Sequence, residues 1–474
     1  MTDSLVDGDV QTALDAFAEL PDWLALVTEP GRVTESLRRF VPELGASGFG
    51  PSGATVDRLR AKGTEWLVHC RVETIRDGRP SETVLVGRLL PPGSAPAPED
   101  PTVPFGEPGW RCYLPDLRLQ LEVEVADGAL PALPSLVDAR SAATFLQQVL
   151  RDAGHEVTVA GCTPDVVRYK PGSRCTIVYR MDYDGAPGPD PLVVKTHQGD
   201  KGRTAWEAMR ALWASPVAHD GLVILAEPLA YLPEQRVLVQ GPVPEACTLK
   251  VLARNALTDG PAARLDGLRE ALRNTAVALA ALHSSGAQYG GPKVWVQELA
   301  QLREVCDRLA HSVQHVGSAA APLLGRLAAL HAATPPDGLV SAHGTFRPAQ
   351  VLLHDGLIGL IDFDGACRAE PALDLGRFRA ALRDIGISAF CASGRPLVGN
   401  ALEGHLRLLD ELCDEFLDAY QHVARVTADR VVLWETTDLL TAVLHAWTKV
   451  RTARVGPRLA LLRHAAGTPA LLAP

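Results

Sequence analysis

No C-x-x-C pair occurs among the nine cysteines of this 474-residue chain, so the sequence offers neither a zinc motif nor a thioredoxin-like redox motif. Basic residues are not in excess either. With 46 Lys and Arg against 56 Asp and Glu, the formal charge of −10 excludes the basic face that non-specific nucleic-acid binding needs, though not a local basic patch for a nucleotide. No apolar run approaches membrane-spanning length, and the opening MTDSLVDGDVQTALD is acidic, without the apolar core of a signal peptide. The expectation is a cytoplasmic protein with no membrane and no nucleic-acid partner, its thiols reduced and mostly buried. Aromatics are sparse at 5%, yet 47% hydrophobic residues over this length suffice for two or three domains and a large core.

The periodicities divide the chain into three expected domains: an N-terminal α+β domain over 1–150, a β-rich segment over 151–240 and a helical segment over 241–474. In the first, Leu14, Phe17 and Leu20 share one helical face, and Leu37, Phe40 and Val41 another after Pro30-Gly31. Strands about Arg76-Asp77-Gly78 span 65–90, seven prolines make 91–108 an extended connector, a strand pair spans 112–125, and 139–153 reads as a helix. The second brings strands over 163–197, a helix over 203–214 and further strand over 226–239. Gln240-Gly241-Pro242 then marks a hinge. The third reads as helices over 263–283, 294–313, 322–333, 402–426 and 430–455, with one hairpin embedded among them.

The two strand-rich stretches align on each other. Thr55, Asp57, Arg60, Lys62 and Arg71 answer to Thr163, Asp165, Arg168, Lys170 and Arg180 at an offset of about 108 residues. Either alternation alone produces the match, or a strand unit is duplicated and its first copy has Gly87 or Arg88 where the second has Lys195.

The embedded hairpin carries the densest polar chemistry. In LVSAHGTFRPAQVLLHDGLIGLIDFDGACRAEPALDLGRF, residues 339–378, the apolar runs VLLH and LIGLIDF flank an Asp355-Gly356 turn. His343, Gly344, Thr345 and Arg347 precede the first run, and Asp362 and Asp364 end the second. The spacing resembles the H-G-D-x-x-x-x-N, I-D-F and D-P-x-x-D-L pattern of the aminoglycoside phosphotransferase and choline kinase family, distant relatives of protein kinases. Here it stands as H-G-T-F-R-P-A-Q, I-D-F-D and E-P-A-L-D-L. The resemblance covers roughly residues 155–455. It implies an α+β, bilobal protein-kinase-like fold, a small β-rich lobe followed by a larger helical lobe; the first 150 residues fall outside it and are expected to form an additional N-terminal α/β domain.

The resemblance also implies ATP and Mg²⁺ as cofactors, and roles for particular residues. Lys195, ending PLVVK, is the lysine that pairs the phosphates, its other reading being a strand-end lysine in water; Glu207 is the candidate to hold it. Gly172 and Ser173 lie in a turn that would cover the triphosphate, with Lys170 and Arg174 adding positive charge. Asp362 matches the metal-binding Asp, and Gln350 takes the place of the metal-binding Asn. Asp364 is either a supporting group or a solvated turn residue, and His343, Glu370 and Asp374 brace the loop. Thr345 replaces the catalytic Asp, and Arg347 stands where protein kinases carry a lysine that contacts the transferred phosphate. Two functions are compatible with this set. One is a kinase with an atypical loop, acting on a hydroxyl of a small molecule or a peptide Ser/Thr. The other is a pseudokinase that binds nucleotide and docks a protein partner through residues 1–150.

Overall fold

The computed structural model describes residues 10–45, 49–62, 65–76, 79–96, 103–123, 130–170, 172–258 and 262–472. The expected turn at 77–78, the middle of the proline-rich connector and Pro171 lie outside the described residues. The sheet-forming strands are β1 Phe49–Lys62, β2 Glu65–Arg76, β3 Arg79–Leu89, β4 Arg111–Leu114, β5 Leu119–Val123, β6 Thr158–Lys170, β7 Arg174–Asp184, β8 Leu192–His197, β9 Ile224–Leu225, β10 Pro228–Leu232, β11 Val237–Gln240, β12 Cys247–Thr248, β13 Val340–Ala342, β14 Val351–His354, β15 Leu357–Leu360 and β16 Cys367–Ala369. The longer helices are α1 Arg32–Phe40, α2 Ala139–Asp152, α3 Lys201–Trp213, α4 Leu249–Leu257, α5 Ala262–His283, α6 Trp295–Ala310, α7 Ala321–Ala333, α8 Ala372–Ala392, α9 Asn400–Gln421, α10 Ala428–Thr448 and α11 Thr452–Ala466. Among the described residues, no helix is long and apolar enough to cross a membrane.

These elements form two compact units, one of 1–126, 298–329 and 439–474, the other of 127–297 and 330–438. The first unit is built on a sheet of order β1-β2-β3-β5-β4. Strand β2 alternates, burying Trp66, Val68, Cys70 and Val72, and Leu85, Leu89, Leu119 and Leu121 add to the same core. Elsewhere in the unit Phe17 meets Trp447 edge-on at 6.3 Å between ring centroids. The expected helix over 430–455 is two helices, because Val450 takes a left-handed φ of 45° that an α-helix cannot continue through.

The second unit has the bilobal kinase-like plan. Its small lobe is a sheet of order β6-β7-β8-β11-β10. One face is dry: Leu146, Val149 and Leu150 of α2 pack on Cys175, Ile177, Tyr179 and Met181 of β7, Val194 of β8, and Val237 and Val239 of β11. The Asp138 side chain starts α2 by accepting from the Ser141 N–H at 2.8 Å. Because successive strand residues point to opposite faces, burying Val194 against α2 turns Lys195 to the other side of the sheet. The larger part of the unit is helical and holds the hairpin β14–β15. Asp355 and Gly356 at its tip have φ of 48° and 80°, the left-handed pair that a two-residue hairpin turn favours.

The two five-stranded sheets share their strand order and much of their register. Thr55 lies opposite Arg71, and Thr163 opposite Arg180. Leu67 lies opposite Arg88, and Thr176 opposite Lys195. Where β8 leads into α3, β3 leads into the proline-rich connector.

Candidate active site

Strand β8 carries Lys195, and the end of β15 carries Asp362. They meet with Lys195 Nζ 2.8 Å from Asp362 Oδ1 and 3.5 Å from Asp364 Oδ1. The lysine is 8% exposed, so it is no strand-end lysine in water. Burial pushes its ammonium down, and the charges of Asp364 and Asp362 more than offset this, leaving it above its ordinary value. Asp364 takes two further partners, Arg174 Nη1 at 3.3 Å and His197 Nε2 at 3.0 Å. Burial pushes the Asp364 carboxyl up; the His197 hydrogen bond and the charges of Lys195 and Arg174 outweigh it, holding the group well below the usual carboxylate range. Asp364 is thus an ion-paired carboxylate, not a solvated turn residue.

Asp362 has φ 73° and ψ 56°, a left-handed conformation uncommon for any residue but glycine and tolerated best by Asp and Asn. Gln350 is drawn in by backbone pairing, its carbonyl accepting from the Ile361 N–H at 3.1 Å. Its Nε2 donates to Thr345 Oγ1 at 3.3 Å, while its buried Oε1 has no hydrogen-bond partner among the described residues. A buried amide oxygen without a donor is costly in a folded protein, and it is free to accept a cation, a water or a ligand. Among the described residues no cluster of three His, Cys, Asp or Glu side chains forms a metal cage. Mg²⁺ does not need one, since it keeps waters and takes one or two carboxylates plus substrate phosphates. The donor set of Asp362 and Gln350 Oε1 fits that demand.

The loop before β14 is held from beneath. Asp374, fully buried at the start of α8, accepts from the N–H of His343 at 2.7 Å and of Gly344 at 2.8 Å, and its Oδ2 lies 3.1 Å from His283 Nε2. His343 Nε2 lies 3.0 Å from the Ile361 carbonyl. Glu370 acts further off, bound by Arg430 Nε at 2.7 Å and Trp434 Nε1 at 2.6 Å. Gly344 adopts φ 76°, and a Cβ there would sit 2.0 Å from the Gly365 carbonyl oxygen. Gly344→Ala is therefore expected to cost at least ~2 kcal/mol in a denaturant titration and to push the loop off the Asp362 segment.

The remaining expected residues divide. Arg347 is on the surface, its Nη2 3.5 Å from Asp438 Oδ1. The turn over Lys170, Gly172 and Ser173 is present between β6 and β7, but the Ser173 N–H donates to the Lys170 carbonyl at 3.1 Å and so closes the turn instead of facing outward. Glu207 is not brought to Lys195. The buried face of α3 is Ala205, Ala208, Met209 and Leu212, and Glu207 lies off it, exposed. The carboxylates of Asp362 and Asp364 occupy the lysine instead. Sequence reasoning missed His197, whose place two residues after Lys195 in an alternating strand puts it on the same face, and it missed Arg377 and Asp438, which no local pattern signals.

Residues 178–412 match the phosphotransferase enzyme family, a span that runs from β7 through the hairpin and into α9. Over these residues the chain belongs to that family. A search of curated proteins returns no match. Among solved structures, the chain is similar to a choline/ethanolamine kinase family protein from Mesorhizobium loti, at 16% identity over 65% of this chain and 90% of that one with a TM-score of 0.43. It is also similar to an aminoglycoside phosphotransferase from Streptomyces rimosus, at 19% identity over 63% and 97% with a TM-score of 0.37. A glucosamine kinase solved with glucosamine, ADP and inorganic phosphate matches at 16% identity over 94% and 99%, with a TM-score of 0.44. The phosphotransferase match itself contains Lys195, Thr345, Gln350 and Asp362.

Proposed function

We propose that the second unit is a phosphotransferase that binds ATP with Mg²⁺ and passes the γ-phosphate to a hydroxyl of a small molecule, with a peptide Ser/Thr as the other acceptor class. The observation that carries this reading is the buried Lys195–Asp362 pair beside the partnerless Gln350 Oε1. Phosphoryl transfer asks a protein mainly for cations at the phosphates, a held metal and an oriented hydroxyl. Lys195 supplies the first on exchanging its carboxylates for phosphate oxygens, with Arg174, which shares Asp364 with it, and exposed Lys170, opposite Arg174 in the turn, as further cations. Asp362 and Gln350 Oε1 would hold the metal, which would supply positive charge against that of the phosphates. Arg347 meets the transferred group from the loop.

One observation favours the pseudokinase reading: Thr345 has no carboxylate, and its Oγ1 already takes the Gln350 amide. A hydroxyl is no base near neutral pH, and general-base help is worth roughly 10²–10⁴ in rate. Transfer of labelled γ-phosphate to water, to the protein itself and to panels of amino sugars, other hydroxyl metabolites and peptides tests the two. The enzyme reading expects a signal that disappears in Asp362→Ala. Nucleotide binding without any transfer would leave the scaffold, with residues 1–150 as its docking surface.

For that first unit we propose a degenerate copy of the small lobe. The shared strand order supports it, as does Arg88 in the register position of Lys195. Photo-crosslinking with an azido-ATP should label peptides from 158–240 and none from 49–123; labelling of the latter would contradict the proposal.

A further inference from the structure

The loop lacks a carboxylate at position 345, and another carboxylate stands beside it. Asp438 of α10 is largely buried, its side chain 14% exposed. Its Oδ1 lies 3.5 Å from Arg347 Nη2 and 3.7 Å from Arg377 Nε. Arg377, 11% exposed on α8, also donates from Nη1 to the carbonyl of Gly344, the residue immediately before Thr345. One carboxylate thus touches the guanidinium two positions after Thr345 and the guanidinium that grips the backbone one position before it. In both contacts the nearer carboxylate oxygen is Oδ1. Among the described residues, no hydrogen bond engages Asp438 Oδ2.

We propose that Asp438 is the catalytic carboxylate of this protein, supplied from α10 in place of the one missing at 345. The inference rests on the phosphotransferase reading. The two guanidiniums aim the carboxylate at the loop, and Oδ2 is left to accept a hydrogen bond from the acceptor hydroxyl. As the new bond forms between the acceptor oxygen and the γ-phosphorus, the bond from that phosphorus to the β,γ-bridging oxygen breaks. ADP leaves with the electron pair. The hydroxyl proton passes to Asp438 Oδ2 and from there to solvent. In a loose phosphoryl transition state this transfer comes late, so the carboxylate orients the hydroxyl first and takes its proton second. Arg377 is a positioning residue in this scheme, holding Asp438 and the Gly344 carbonyl in one grip.

The test uses the full chain with ATP and Mg²⁺, water being the acceptor. Asp438→Asn should lower hydrolysis at least about 10²-fold and leave ATP affinity within about threefold. Adding Thr345→Asp to that variant should restore at least about tenfold, because the carboxylate returns at the neighbouring position. A purely structural role, in which Asp438 only tethers Arg347, predicts no rescue, and that result would overturn the proposal. Hydrolysis by Asp438→Asn within threefold of the parent would overturn it too. Asp438→Glu keeps the charge between the two arginines, so it covers the case in which the Asn variant does not fold. It should melt with the parent yet hydrolyse at least about tenfold more slowly, and parental hydrolysis would count against the proposal. A parent that binds ATP but hydrolyses no faster than Asp362→Ala removes the phosphotransferase reading itself, a failure separate from that of Asp438 alone.

Discussion

Asp362→Ala is expected to lower phosphoryl transfer by roughly 10³-fold, about 4 kcal/mol of transition-state stabilisation. The carboxylate ends a buried strand, is fixed by a left-handed backbone, and lies 2.8 Å from Lys195 Nζ. Its removal takes away the carboxylate oxygen paired with Lys195 Nζ and, under the proposed function, a metal ligand. Lys195 would keep only the longer 3.5 Å contact to Asp364, a carboxylate already shared with Arg174 and His197. Asp362→Asn separates the two roles. An amide keeps a weak metal ligand but not the charge, so transfer should fall less than in the alanine variant while Mg²⁺ dependence shifts to higher concentration.

The second large effect concerns stability. Glu435 of α10 is buried, accepting from Arg379 Nε at 2.6 Å and from Arg383 Nε. Both arginines are themselves buried. Glu435→Gln keeps the shape and removes the charge, leaving two buried guanidiniums whose remaining carboxylate partners among the described residues are Asp414 and Asp410, nearer the surface. Breaking a buried pair in this way costs about 3–5 kcal/mol. Burial pushes the Glu435 carboxyl up, but Arg379 and Arg383 outweigh it and set it below its ordinary value of 4.5. A depressed carboxylate contributes stability that is complete above its unfolded pKa and lost as pH falls through the folded one. Denaturant titrations of parent and variant should therefore differ by a constant amount at neutral pH, and the gap should close only at pH values below 4.5. A gap that closes at higher pH would mean that Glu435 is not held by the arginines.

The sequence made the hairpin legible because its cues are local. Asp355-Gly356 between two apolar runs specifies the turn, and the runs deliver Gln350 and Asp362 to adjacent backbone positions. Lys195 was legible for the same reason: alternation in PLVVK assigns it to the face opposite Val194. Helix α8 was not, since residues on every side of it are buried and no apolar stripe stands out. That omission hid Arg377, and with it the link to Asp438 across 91 residues of sequence from Arg347. Glu207 failed for a different reason. Spacing along the chain put it near Lys195, but the side a helix presents is set by its apolar residues, and Ala205, Ala208, Met209 and Leu212 direct α3 so that Glu207 points away. The division into units shows the same limit, since residues 298–329 and 439–474 join the N-terminal sheet from far along the chain.

Calorimetric titration of the folded full-length chain with ATP in the presence and absence of Mg²⁺ tests the central claim most directly. Lys195, Asp362 and Gln350 together predict saturable binding that requires or is strengthened by Mg²⁺, is weakened in Asp362→Ala, and is weakened further in Lys195→Met. No heat of binding for ATP with Mg²⁺ at millimolar concentration, by protein shown to be folded, would contradict the enzyme and the scaffold alike.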